Sequence, residues 1–294
     1  MYRKKWIAYI MIMPTLLILF MFLFYPFLVN IKNSFFKFES ILDRNPFFVG
    51  ISNYRKMFTD HIFIRSFSNT LILVFLVLLF QVGIAYALAL LVNSIVKMRS
   101  FYKVTFFMPI VVSATALGLM FNLFYDYNYG MFNQILILLG QEKVFWKDPQ
   151  NIVRLFTLIV TPVIWQYIGF YFVIFLTGLT GISKEIIEAA EIDGCSGFQK
   201  ARHIQMPMLK NVTRTVIILA ITGTLKVFDL PYIISPNGYP SGKTHFLGTY
   251  MYDKAFNTVD VGYAAAFAVF IVIAGVLMSL IANTIFKQNK DLYL

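Results

Sequence analysis

The sequence has 294 residues, 59% hydrophobic and only 13% charged, with a net charge of +11. Soluble chains average about 25% charged residues, so a soluble domain is excluded and a lipid-embedded chain is indicated. The basic residues lie between long apolar runs rather than along one stripe, which argues against nucleic-acid binding. The single cysteine, Cys195, excludes an intramolecular disulfide, and no Cys/His cluster has metal-ligand spacing.

In chain order, Arg3, Lys4 and Lys5 precede an uncharged run at 6–31. This run is too long for a signal-peptide core and ends in no A-x-A-like site, so a retained span with an inside N-terminus is predicted. A polar outer loop at 32–65 follows, then uncharged runs at 66–96 and 104–125, each long enough to cross a bilayer. Residues 127–141 are also uncharged, but the stretch is too short to cross, and Gly130 and Gly140 bracket it. A short outer or re-entrant helix is predicted there. A fourth span covers 155–181. A fifth covers 212–234, where Lys226 and Asp229 interrupt the run before it resumes at Leu230. Those two charges, three apart on a helix, are predicted to pair and to snorkel near the outer end of the span. A direct functional role is the alternative, since intramembrane charges are functional candidates. The last span covers 261–286. The expected fold is an all-α integral membrane protein, one domain over 1–294 with six transmembrane helices. Basic density places both termini in the cytoplasm.

The predicted inner loop, 182–211, carries the most specific pattern. Ser183 is positioned to cap a helix whose first turn holds Glu185. Gly194 can end that helix in a left-handed conformation. Ser196 and Gln199 have capping-box spacing for a second helix, and Pro207 marks the exit toward the fifth span. Ile186, Ile187, Ala190 and Ile192 give this loop an apolar surface suited to a groove on another protein.

Glu188-Ala189-Ala190, then Gly194, Ile204 and Met206-Pro207, resemble the EAA loop of binding-protein-dependent ABC importer permeases. Cys195 and Met206 stand where the family often has Ala and Leu. Tyr25-Pro26, Phe48 to Tyr54, Ser68-Asn69-Thr70, Tyr129 to Asn133 and Leu225 to Asp229 are similar to its maltose, multiple-sugar and glycerol-phosphate branch. The outer segment from Ser235 to Pro240 departs from the branch's Gly-Gly-Pro turn.

The resemblance implies the six-helix permease fold in a prokaryotic cytoplasmic membrane. It also implies an ATPase-coupling role for Glu188, Ala189, Ala190, Asp193, Gly194, Ile204 and Pro207. Its expected partners are a second homologous permease forming a heterodimer, two cytoplasmic ABC ATPase subunits and an extracellular or periplasmic solute-binding protein. ATP and Mg would sit on the ATPase subunits, with no cofactor on this chain. The expected cargo is a sugar or oligosaccharide, with glycerol phosphate or another polar solute as the alternative.

The middles of the fourth and fifth spans hold Gln166, Tyr167, Phe170 and Thr224, whose amide, hydroxyl and aromatic groups suit a sugar pathway. The resemblance also places pore-lining residues on these spans. Asn122 is a further candidate, and interhelical packing is the competing reading for the whole set. Three other signals carry little. The segment Gly238 to Thr244 is one residue short of a phosphate-binding loop and follows no parallel strand. Asp229 is the one intramembrane acid, against an ion-driven transporter. His61, His203 and His245 fall on different loops, against a membrane enzyme.

Overall fold

The computed structural model describes residues 5–40, 43, 45–94 and 98–286. Arg3, Lys4, the tail 287–294 and positions 95 and 96 of the predicted second span lie outside the described residues. The chain begins with α1 (Lys5–Leu19), which runs through a π-helical turn (Phe20–Phe24) into α2 (Tyr25–Asn33). A two-stranded antiparallel ribbon follows, β1 (Phe36–Lys37) with β2 (Phe47–Phe48), then α3 (Ser52–Met57). Next, α4 (His61–Leu76) passes through a π turn (Val77–Val82) into α5 (Gly83–Ser94). After α6 (Arg99–Val111), α7 (Ala114–Phe124) and the short α8 (Met131–Leu138) comes the long α9 (Ile152–Thr180). The loop helices α10 (Lys184–Ile192), α11 (Gly197–Lys200) and α12 (Met206–Met208) lead into α13 (Lys210–Leu225) and α14 (Asp229–Ile234). Finally come α15 (Leu247–Tyr252) and α16 (Val261–Ile285).

Among the described residues, five helices are long and apolar enough to cross a membrane: Tyr9–Asn33, His61–Ser94, Ile152–Thr180, Lys210–Ile234 and Val261–Ile285. The predicted span at 104–125 is not one helix, because α6 and α7 meet at 90°. A sixth span exists only if this bent pair counts as one. Pro109 inside α6 removes a helical donor, Val112 is extended, and the Ser113 hydroxyl caps α7 by accepting the Ala116 N–H. Both signals are in the sequence, but the uncharged run conceals the corner.

The chain divides into two compact units, residues 1–64 with 251–273, and 65–250 with 274–294. In the first, buried Asn53 donates from its amide to the carbonyls of Ser34 and Phe36, which holds the ribbon to α3. Gly262 lies so close that an added Cβ would fall 1.9 Å from the Phe36 carbonyl oxygen. Lys56 pairs with Asp260 at 2.6 Å, and Asp60 accepts from the Tyr263 hydroxyl at 2.8 Å.

The second unit is built around α9, which packs against α5, α6, α13 and α14. Small residues permit the closest approaches. Ala85 and Ala89 of α5 are fully buried, and an added Cβ on Gly169 would sit 1.8 Å from the Phe106 carbonyl oxygen of α6. Such small-residue contacts suit helices packing in lipid, where close approach supplies the attraction. Pro162 inside α9 leaves the Leu158 carbonyl without its helical donor. The Tyr125 hydroxyl replaces that donor at 3.2 Å.

Two further asparagines hold loops in this unit. Asn69 donates to the Lys243 and His245 carbonyls. Asn133, fully buried, donates to the Tyr127 and Val144 carbonyls and accepts from the Val144 N–H and the Trp146 indole. The uncharged stretch at 127–141 thus holds a short helix, α8, stapled to its own loop.

Candidate functional site

Two places in the second unit carry chemistry. The first is a cavity of about 490 Å³ between α9, α13, α14, the π turn at Val77–Val82 and the start of α7. That volume falls within the range of about 300–1,000 Å³ typical of small-molecule sites. Gln166, Tyr167 and Phe170 of α9 and Thr224 of α13 all line it. The Thr224 hydroxyl already donates to the Ala220 carbonyl at 2.7 Å, so what remains to it is acceptor capacity. Gln166 is only 5% exposed, and its amide has no hydrogen-bond partner among the described residues.

The structure separates Asn122 from this group. Its amide donates to the Ile233 carbonyl at 3.1 Å and accepts from Lys147 Nζ at 2.8 Å, and it does not line the cavity. Half-burial holds the Lys147 ammonium below the usual lysine range, and the Asp126 charge opposes that shift. Gln81, Ala114 and Gly223 are among the lining residues that the sequence does not single out. Gln81, 3% exposed, donates to the Val163 and Ile164 carbonyls at 3.0 and 2.7 Å and clamps α9 just past Pro162. An amide inside an otherwise apolar run was its available signal. Gly223 gives none.

Lys226 and Asp229 also line the cavity, and the expected i,i+3 pair does not form. The helix ends at Leu225, Phe228 takes φ −139°, ψ −58°, and α14 restarts at Asp229. The two side chains are therefore not successive turns of one helix. Neither is in an ion pair among the described residues.

The second place is the loop at 182–211. α10 ends in a Schellman turn: Gly194 takes φ +76°, its N–H reaches the Glu191 carbonyl, and the Cys195 N–H reaches the Ala190 carbonyl. The capping box at Ser196 and Gln199 forms in both directions. Ser183 occupies the N-cap position, but its side chain caps no helical N–H. The Glu185 carboxyl in the first turn is held below the usual carboxylate range, chiefly by its own backbone N–H and secondly by the neighbouring Ser183 hydroxyl. Lys200 forms an ion pair with Glu191 and ties α11 to α10. Glu188, Ala189, Asp193, Gly194 and Pro207 are exposed, Ile204 is half-buried and Ala190 is buried. Ile192 and Phe198 present bare apolar side chains, 88% and 73% exposed.

The two places share their helices. α9 leads into the loop and α13 leaves it, and the two meet where an added Cβ on Gly178 would lie 3.0 Å from the Val212 side chain. Further along, the same helices form the cavity wall.

The family described as "Binding-protein-dependent transport system inner membrane component" matches residues 81–290. A probable ABC transporter permease, YurN of Bacillus subtilis, is 29% identical over 98% of this chain and 99% of its own length. The arabinooligosaccharides transport system permease AraP of the same species is 31% identical, over 96% of this chain and 88% of its own. The trehalose/maltose transport system permease MalF of Thermococcus litoralis is 29% identical over 91% and 89%. A solved bacterial ABC transporter involved in import of the acidic polysaccharide alginate shares the fold, with a TM-score of 0.84 and 22% identity over 97% of this chain and 96% of that one.

Proposed function

Because the chain belongs to the binding-protein-dependent transport system inner membrane components, a family of multi-pass membrane proteins, we propose that it is the permease subunit of an ATP-driven saccharide importer. The observation that carries this reading is the sharing of α9 and α13 between an apolar-faced loop and a polar cavity. A saccharide is favoured over other polar solutes because the similar permeases are named for arabinooligosaccharides and for trehalose and maltose.

In this reading six spans put both termini and the loop at 182–211 in the cytoplasm of a prokaryotic cell. The chain pairs with a second homologous permease and contacts a solute-binding protein outside. Two ATPase subunits carry ATP and Mg, and this chain catalyses nothing itself. The loop docks on one ATPase through Ile192, Phe198 and the Glu188 to Gly194 turn. ATP can drive transport only if the motor binds the two permease conformations with different affinity. The Schellman turn, the capping box and the Glu191–Lys200 pair make the loop stiff enough to pass a push to α9 and α13. Tilting of those helices then opens the cavity to one side and the other.

Two measurements test this. The one cysteine of the sequence, Cys195, lies in the loop. A membrane-impermeant maleimide is expected to label it in inverted vesicles and not in intact cells, and labelling from outside would overturn the topology. Glu188→Ala with Gly194→Val is expected to abolish uptake and ATPase docking while membrane insertion persists. Uptake that survives this double change would overturn the coupling role.

A further inference from the structure

The broken helix brings opposite charges to one cavity without letting them meet. On an unbroken helix Lys226 and Asp229 would sit on successive turns and pair. With α13 ended at Leu225 and α14 restarted at Asp229, each side chain lines the cavity on its own. Among the described residues no other Asp, Glu, Lys, Arg or His lines it, so the described wall carries one positive and one negative charge and sums to zero. Alongside them, the Gln166 amide lines the same cavity and has no protein hydrogen-bond partner among the described residues, which leaves its donors and acceptor available to whatever enters.

The three groups offer a definite pattern. An ammonium has three donors and no acceptor, a carboxylate accepts only, and a primary amide does both. A hydroxyl donates and accepts, so a polyhydroxylated ring can answer all three at once. An anion would gain Lys226 and be repelled by Asp229; a cation would meet the reverse. Both repulsions act at short range inside a cavity, where charges interact more strongly than in bulk water.

We propose that Lys226 and Asp229 together form a charge filter that admits uncharged saccharides and rejects those bearing a carboxylate, a phosphate or an amine. This rests on the saccharide reading given above. Lys226 donates to one hydroxyl, Asp229 accepts from another, and Gln166 completes the set between them. Selectivity is here a difference between cargoes, built from repulsion as well as attraction.

The test uses the assembled transporter in detergent without its solute-binding protein, so that the cavity's own preference is read. The probes are maltose, trehalose and arabinobiose as neutral disaccharides, digalacturonate as an acid and diglucosamine as a base, with binding followed by saturation-transfer NMR. The wild type is expected to favour neutral probes by about tenfold or more over either charged one. Asp229→Asn should admit digalacturonate, and Lys226→Gln should admit diglucosamine, each narrowing its own gap by about tenfold. The exchange of both charges, Lys226→Asp with Asp229→Lys, should keep the neutral preference. Neutral binding with selectivity unchanged in both single variants would overturn the filter alone. A wild type that prefers digalacturonate would also overturn it. No binding of any saccharide to any form would overturn the filter together with the saccharide reading.

Discussion

The inner loop and the cavity are two parts of one pair of helices, and they are specified in opposite ways. The loop is local: the Gly194 turn, the Ser196–Gln199 box and the Glu191–Lys200 tie all close within about a dozen residues. The cavity draws Gln81, Ala114, Gln166, Gly223 and Asp229 from across the second unit, and none of them is poised without the packing of α9. Short-range hydrogen bonds can form a surface before the rest of the chain is in place, whereas a polar pocket among apolar helices exists only once those helices have docked.

This contrast can be broken or sharpened by substitution. The largest effect is expected from Gly169→Leu, whose side chain would be driven into the Phe106 carbonyl. A change of this kind belongs to the severe class, about 4 kcal/mol or more, and loss of the thermal transition of the purified chain would show it. Were that variant to fold with its cavity intact, the dependence on close α6–α9 packing would be wrong.

Gly223→Leu comes next and separates the two regions. An added Cβ there meets nothing within 4 Å, and the position lines the cavity. The variant should fold normally, keep its ATPase attachment and lose uptake. Pull-down of the ATPase beside a transport assay reads both.

Tyr125→Phe removes the hydroxyl that serves the carbonyl freed by Pro162. Stability should fall by about 1–2 kcal/mol, measured as a lower melting temperature, with attachment at the loop unaffected. Ser196→Ala acts on the other region. It should cost about 1 kcal/mol of local helix stability, seen as faster amide exchange over α11 and weaker ATPase attachment, while saccharide binding to the cavity is unchanged.

The smallest effect concerns pH and Lys147. Its ammonium titrates below its ordinary value of 10.5 in the folded chain because burial penalises the charge. Between the folded value and 10.5 the unfolded chain holds more protons, so stability should rise slightly with pH across that window. Lys147→Met should remove the slope, and a melting curve repeated at several alkaline pH values would detect it.

Much of the loop was legible in the sequence because caps and turns have spacing rules that need no tertiary context. Gly194, Ser196 and Gln199 behave as their positions predict, while Ser183 takes the N-cap position without its side chain capping a helical N–H. Gln166, Tyr167, Phe170 and Thr224 group together from their place at mid-span, and the structure gathers all four into one cavity. Asn122 does not line that cavity, and the sequence could not tell, because an amide near a span end looks alike whether it faces a cavity or holds Ile233 and Lys147. The corner between α6 and α7 was hidden because hydropathy is blind to direction, although Pro109 and Ser113 both mark it.

The sequence by itself determined the lipid-embedded character of the chain, the approximate reach of five of its long helices and the capped architecture of the inner loop. These follow from composition and from contacts a few residues apart. Only the tertiary structure decided which faces of those helices meet, that the third apolar run turns a corner, that Asn69 and Asn133 staple distant or looped backbone, and that Lys226 and Asp229 share a wall unpaired. In lipid every face of an apolar helix is acceptable to the solvent, so burial cannot be read from composition; small residues and polar groups choose the partner face only when another helix arrives to meet them.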